Sequence, residues 1–310
     1  MKIIFFGTPD FAVPSLQALL ESGEEALAVV TQPDKLKGRG HKLSQPPVKE
    51  YALAKGITVL QPSSIRTAAF IEDVSRLDPD CIVVVAYGRI IPPPLLKLPP
   101  LGCINVHASL LPKYRGAAPI QWALINGEIK TGVTTMLMDE GLDTGDILLS
   151  EETEIYDDDN ADTLARRLSQ AGASLLVKTL SGIKDKRIKP VPQSGDASYA
   201  PPLKKEDGRI DWSLSAHVIA DLIRGTYPWP GAYCYLNGEK IHIIKAKVAH
   251  DNTMGARGRI EKMSANEIFA GTGKGILEVI EVKPEGKKVM TASAFMHGRH
   301  LKEGAIFDTL

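Results

Sequence analysis

Asn105 and His107 stand one residue apart in Cys103-Ile-Asn-Val-His-Ala-Ser-Leu-Leu-Pro112, an apolar run that breaks into a Ser-Leu-Leu-Pro turn. On a strand, alternate side chains share a face and lie roughly 7 Å apart. A carboxamide and an imidazole so placed can bracket one small group. The amide donates to a developing oxyanion, and the imidazole moves a proton near neutral pH. Downstream, Asp139-Glu-Gly-Leu-Asp143-Thr-Gly-Asp146 supplies carboxylates able to orient and charge-balance that ring. No nucleophilic serine or cysteine is evident among these groups, so the chemistry they suggest is direct acyl transfer from donor to acceptor. Two plainer readings stand beside this one. Asn105 and His107 can be a hydrogen-bonded pair at a strand end, and the four acids can be a solvated turn or a Mg²⁺ contact.

The elements that must position these groups follow from the apolar pattern. Short runs at Lys2–Phe6, Leu27–Thr31, Ile57–Leu60, Cys81–Ala86 and Cys103–Ala108 alternate with amphipathic stretches. Cys81–Ala86 is apolar without alternation, as expected of a strand covered on both faces. This order predicts right-handed crossovers and an α/β, doubly wound, mostly parallel sheet of Rossmann-like form. Ligands of such sheets sit beyond the carboxyl ends of the strands. There the chain offers Gly7-Thr-Pro9, Ala86-Tyr-Gly-Arg89 and Ser109–Pro112.

Thr131–Met138 and Ile147–Glu154 predict two more strands flanking the acidic loop. Asn160–Leu180 predicts a long helix, capped by Asn160 or Asp162 and with Gly182 past its end. A Lys- and Pro-rich stretch, 184–205, reads as a semi-extended linker. Beyond a helical segment at Ser213–Arg224, short strands recur, and Asn237-Gly238 between alternating runs is a hairpin signal. A small C-terminal β-barrel, of the oligonucleotide-binding kind, is expected. The division is therefore 1–183, 184–205 and 206–310.

Between Asp34 and Lys49 lies a connection longer than the usual two to six residues. It carries Lys35, Lys37, Arg39, Lys42 and Lys49, with Gly38 and Gly40 flanking Arg39. One reading is a solvated loop; the other is a phosphate and nucleobase probe that orders on binding. The whole chain of 310 residues has zero formal net charge, so polyanion binding needs a local patch of this kind. From Lys204 onward, sixteen Lys and Arg stand against thirteen Asp and Glu, a weak bias that fits an assisting role.

Other chemistries find little support. Gly7-Thr-Pro-Asp-Phe-Ala lacks two glycines of a dinucleotide fingerprint, and there is no P-loop, so NAD is not expected. His41 and His107 have no metal-ligand spacing, so no metal is expected. Cys81, Cys103 and Cys234 are scattered, as buried thiols of a reducing compartment would be. No signal peptide or bilayer-length apolar span is seen, so a cytoplasmic location and no membrane partner are expected.

Several motifs together carry a resemblance. Phe6-Gly-Thr-Pro-Asp-Phe-Ala12, Gly38-Arg-Gly40 with Gln45-Pro-Pro-Val48, Ala86-Tyr-Gly88, Asn105-Val-His107 through Pro119, and Asp143-Thr-Gly-Asp146 occur in order. The chain resembles the folate-dependent formyltransferases, in particular the branch acting on methionyl-tRNA, over nearly its whole length. The resemblance implies that the first domain binds 10-formyltetrahydrofolate as co-substrate and formylates the α-amino group of initiator methionyl-tRNA. It implies Asn105, His107 and Asp143 as the catalytic trio. Ser109, Leu110, Leu111 and Pro112 would form the folate loop, with Tyr87 and Gly88 beside the pterin. Arg39, with Lys37 and Lys42 near it, would contact the acceptor stem, and the barrel would hold tRNA further along. A monomer is expected. Transfer to a small amine such as a nucleotide sugar or glycinamide ribonucleotide, formate release from the same folate, and non-catalytic RNA binding are the alternatives.

Overall fold

The computed structural model describes residues 1–37, 42–251, 253, 255–263 and 267–308. Arg39 and its flanking glycines lie outside the described residues, as do the side chains of Lys37 and Lys42. The chain forms two compact units. One comprises Met1–Pro119, Lys130–Glu154 and Ala165–Ala200; the other comprises Ile120–Ile129, Ile155–Leu164 and Pro201–Leu310.

The first unit holds β1 (Lys2–Gly7), β2 (Glu25–Val30), β3 (Lys35–Lys37), β4 (Lys42–Ser44), β5 (Val59–Leu60), β6 (Cys81–Val85), β7 (Cys103–His107), β8 (Arg115–Gly116), β9 (Lys130–Leu137), β10 (Ile147–Glu154) and β11 (Tyr199–Ala200). Seven of these make one sheet in the order β10-β9-β7-β6-β1-β2-β5. The five strands from β7 to β5 are parallel, and β9 and β10 add antiparallel pairings. The expected doubly wound, mostly parallel sheet is therefore present. Its strand order reverses between β1 and β6, which opens a crevice beyond their carboxyl ends.

β6 shows why an unbroken apolar run makes a central strand. All five of its residues are buried. Cys81, Val83 and Val85 face a core that includes Phe5, Leu16 and Leu176. Ile82 and Val84 face another, with Phe6, Phe70 and Leu95. With period-2 geometry, burial on both faces requires apolar residues at every position.

The long helix spans Ala161–Lys184. Asn160 is its cap, because its Oδ1 accepts from the N–H groups of Asp162 (2.9 Å) and Thr163 (3.0 Å). Gly182, expected past the end, lies inside the helix. A Cβ there would come within 2.2 Å of Ile188 Cδ1, so close packing selects this glycine rather than chain termination.

The second unit contains β12 (Tyr233–Leu236), β13 (Glu239–His250), β14 (Ile260–Met263), β15 (Ile268–Gly271), β16 (Ile276–Pro284), β17 (Met290–Thr291) and β18 (Phe307–Asp308). The order is β14-β15-β16-β13-β12-β18, with β17 on β16. An antiparallel bridge between Arg259 and Ile306 joins the ends, so the barrel is nearly closed. Asn237 (φ 51°) and Gly238 (φ 79°) form the hairpin turn between β12 and β13 with both residues left-handed.

Candidate active site

β7 separates its side chains by face. Ile104 and Val106 enter one core, while Cys103 enters the other. Asn105 and His107 continue the Cys103 face toward the strand's carboxyl end. Asn105 is half-buried, and its carboxamide has no hydrogen-bond partner among the described residues, leaving two N–H donors for a ligand. His107 is buried and lies opposite Thr134 of β9.

The segment after β7 folds back over the histidine. Tyr114, in the left-handed region at φ 58°, presents its carbonyl to His107 Nε2 at 2.9 Å. That nitrogen therefore carries a proton and donates it. Nδ1 lies 3.7 Å from Asp143 Oδ2, an ion-pair distance too long for a hydrogen bond. Both ring nitrogens face acceptors, and the ring engages both only with a proton on each. Nδ1 keeps room for a proton in transit because its partner is the looser one.

Asp143 is itself held in the left-handed region, φ 53°. Its Oδ2 accepts from Gly116 N at 2.8 Å. The other acids of this loop have different duties. Asp139 accepts from Thr144 Oγ1 (2.7 and 2.9 Å) and Gly141 N (3.0 Å), an internal brace for the turn. Glu140 is exposed and pairs with Lys97 at 3.0 Å. Only Asp143 reaches the histidine, a choice that sequence spacing left open.

The Ser-Leu-Leu-Pro turn is pinned to β9 by Thr134. Its Oγ1 donates to Ser109 O (2.7 Å) and accepts from Leu111 N (3.2 Å). Ser109 is fully buried, and its own hydroxyl donates to Lys113 O at 2.6 Å. Leu111 is buried, whereas Leu110 and Pro112 remain partly exposed. Leu110 packs over Gly132, where a Cβ would meet its Cδ2 at 2.5 Å.

At the end of β6, the Tyr87 ring turns inward at 2% exposure and meets Phe6 edge-on at 5.2 Å. Burial pushes its phenol above the usual range, and the nearby Arg89 charge opposes that push. The turn thus offers a ligand its backbone and Gly88. Tyr87 O accepts from Gln32 Nε2 (2.9 Å) and Thr8 Oγ1 (3.2 Å), which ties the turns after β1, β2 and β6 together. Next along the chain, Ser63, Ser64, Ile65, Arg66, Arg89 and Ile90 line an open recess of about 360 Å³. The recess is large enough for part of a ligand and bears two guanidinium groups. Sequence reading had not singled it out, because its two arginines come from separate connections.

Residues 184–205, expected to form a linker, are bonded to the site from Val191 to Ala200. Val191 and Ile147 exchange backbone hydrogen bonds of 2.8 and 2.9 Å. Gln193 Nε2 donates to Asp143 O and Gly145 O, both at 2.8 Å. Tyr114 N donates to Ser198 Oγ at 2.9 Å, and β11 pairs with β8. Gln193 and Ser198 carry no sequence signal, since their partners are mostly backbone groups 48–84 residues away.

A half-buried amide without a partner among the described residues, a histidine between a carbonyl and a carboxylate, and a crevice at the strand ends together form an arrangement able to bind an oxyanion and move a proton. Residues 1–180 match the family model "Formyl transferase", and residues 202–300 match "Formyl transferase, C-terminal domain"; the chain belongs to this family. At full length, it is 54% identical to the methionyl-tRNA formyltransferase of Thermodesulfovibrio yellowstonii, covering 97% of each chain. The corresponding enzyme of Pelotomaculum thermopropionicum is 50% identical, covering 99% of this chain and 98% of that one. Among solved structures, the sugar 3N-formyl transferase WlaRD, determined with dTDP and 5-N-formyl-THF, is similar in fold. Its TM-score is 0.69 at 21% identity, covering 93% of this chain and 99% of that one. HypX from Aquifex aeolicus with tetrahydrofolic acid gives 0.64 at 18% identity, covering 97% and 48%.

Proposed function

We propose that this chain transfers the formyl group of 10-formyltetrahydrofolate to the α-amino group of methionine on initiator methionyl-tRNA. The observation that carries this reading is the free carboxamide of Asn105 on the same strand face as His107, with Asp143 beside the ring. The full-length likeness to enzymes named for that reaction supplies the substrates.

In this mechanism the amine lone pair attacks the formyl carbon, and the carbonyl electron pair moves to oxygen. Asn105 donates to that oxyanion, with His107 as a second donor. The oxyanion pair then re-forms the C=O bond as the C–N10 pair leaves on N10, which receives the proton lost by the amine through His107. Asp143 balances the charge on the ring while it holds the proton. The folate is a co-substrate, and neither a metal nor NAD takes part in these steps.

The folate would lie along Ser109–Pro112 and the Tyr87–Gly88 turn. Its anionic glutamyl end matches the charge of the recess bearing Arg66 and Arg89. Arg39, with Lys37 and Lys42, would contact the acceptor stem, and the barrel would assist further along the tRNA. We assign catalysis to 1–183 and tRNA assistance to 206–310, with 184–205 leading from one to the other and bonded to the first unit from Val191 to Ala200, in a cytoplasmic monomer.

The test is formyl transfer to charged initiator tRNA, with uncharged initiator and charged elongator tRNA as controls. Formylation of the charged initiator alone supports the reading. Transfer to a nucleotide-linked amino sugar or glycinamide ribonucleotide, with none to tRNA, would replace it with the small-amine alternative.

A further inference from the structure

We infer that Gln193 is the residue that positions Asp143 against His107, so that the strap 191–200 is part of the catalytic apparatus. This inference rests on the function proposed above.

The chemistry of the Gln193 amide fixes its orientation. Its Oε1 accepts from Arg115 Nε (3.1 Å) and Nη2 (2.6 Å). Its Nε2 donates to Asp143 O and Gly145 O. A guanidinium only donates and a carbonyl only accepts, so the flipped amide would face donors with its NH₂ and acceptors with its oxygen. One side chain therefore joins the segment carrying the histidine's carbonyl partner to the loop carrying the acid.

Asp143 needs such an anchor. It is left-handed at φ 53°, a conformation that aspartate tolerates better than most residues but that neighbouring contacts must still select over the commoner right-handed one. Among the described residues its carboxylate has one hydrogen bond, from Gly116 N, and stands 3.7 Å from the ring without bonding it. At the carboxylate end, that single bond alone holds the oxygen facing His107. The backbone end is locked by the two amide N–H groups of Gln193. Arg115, adjacent to Gly116, orients Gln193, so the residues flanking Asp143 at both ends belong to one connected set. The strap is itself anchored by the Val191–Ile147 bridge on one side and by β11 on β8 on the other.

Two substitutions separate the roles. Gln193→Leu keeps the bulk and removes all polar contacts. Gln193→Glu keeps the length and the acceptor for Arg115 but places oxygen against two carbonyls. In single-turnover formylation, both variants should lower kcat by about 10- to 100-fold, the scale of a misplacement near 1 Å. KM for folate and for tRNA should stay within about twofold, since Gln193 touches neither. A Gln193→Glu enzyme with wild-type kcat would show that Gln193 only tethers Arg115, and it would overturn the inference. So would a loss confined to KM.

Amide exchange provides a readout independent of turnover. The Gly116 N–H is covered by the Asp143 carboxylate, so it should exchange faster in both variants, while Val133 in β9 stays protected. Unchanged Gly116 exchange would refute the positioning role. Should the wild-type protein fail to formylate tRNA, the proposed substrate falls and the exchange result alone decides whether Gln193 sets Asp143.

Discussion

Asn105 stands at a position where most of a strand's polar groups would be satisfied, yet its carboxamide has no partner among the described residues. An unpaired amide N–H beside a crevice is useful only when something arrives to accept its hydrogen bond. Replacing it with alanine should lower kcat by roughly 10²- to 10³-fold, as loss of an oxyanion donor does, with the melting temperature nearly unchanged. Steady-state kinetics alongside a thermal melt checks both halves. Asp143→Asn keeps the left-handed backbone, since asparagine tolerates it, and keeps an acceptor for Gly116 N. It removes the charge facing Nδ1. The expected loss is about 10²-fold in kcat, below the roughly 10⁴-fold of a serine-protease triad, because this carboxylate is not hydrogen-bonded to its ring. An equal loss in a variant whose loop remains ordered would assign the carboxylate a more direct part in the proton transfer. If the recess lined by Arg66 and Arg89 holds the folate's glutamyl end as proposed, Arg66→Ala raises KM for the folate several-fold and leaves kcat within twofold.

The elements explain which features could be read in advance. Strand β7 and the burial of β6 were legible because apolar runs and turn residues are local signals. The antiparallel pairing of β9 and β10 was not stated, although the short acidic loop between them could not house a parallel crossover. Cys81 and Cys103 lie on the buried strands β6 and β7, where desolvation pushes both thiols up to about 12. A disulfide-exchange reagent should therefore leave all three cysteines untouched in the native protein and titrate them only in denaturant. Gly145 marks a place where backbone meets backbone. A Cβ there would fall 1.9 Å from Leu137 O, so Gly145→Ala should cost about 1–3 kcal/mol, seen as a lower urea midpoint. In the barrel, burial and the charges of Lys240 and Lys283 hold His242 below the usual histidine range, with Glu285 opposing. The folded state then binds fewer protons than the unfolded one. Its contribution is present above the unfolded value near 6.5 and is lost as pH falls toward the lower folded value. Urea melts at pH 7.5 and 5.5 should show a smaller acid loss for His242→Gln than for the parent.

At the scale of the molecule, the change from a doubly wound sheet to a nearly closed barrel was legible because the two halves differ in hydrophobic period. The strap was not. The prolines and lysines of 184–205 suggest a free spacer, whereas the backbone and two side chains of 191–200 are bonded to the site from a distance in sequence that no local pattern encodes. Arg39 belongs to this scale as well, since its proposed partner is a phosphate chain. Arg39→Ala should weaken initiator tRNA binding and reduce the slope of log Kd against log salt by about one, with folate KM unchanged. The catalytic expectations depend on one arrangement acting on one pair of substrates. Single-turnover transfer of labelled formyl from 10-formyltetrahydrofolate to charged initiator tRNA by wild-type, Asn105→Ala and His107→Ala proteins measures it directly. Rapid transfer by the wild type and a collapse of at least about 10²-fold in both variants, with tRNA binding retained, is the predicted result. Near-wild-type transfer by either variant would contradict it.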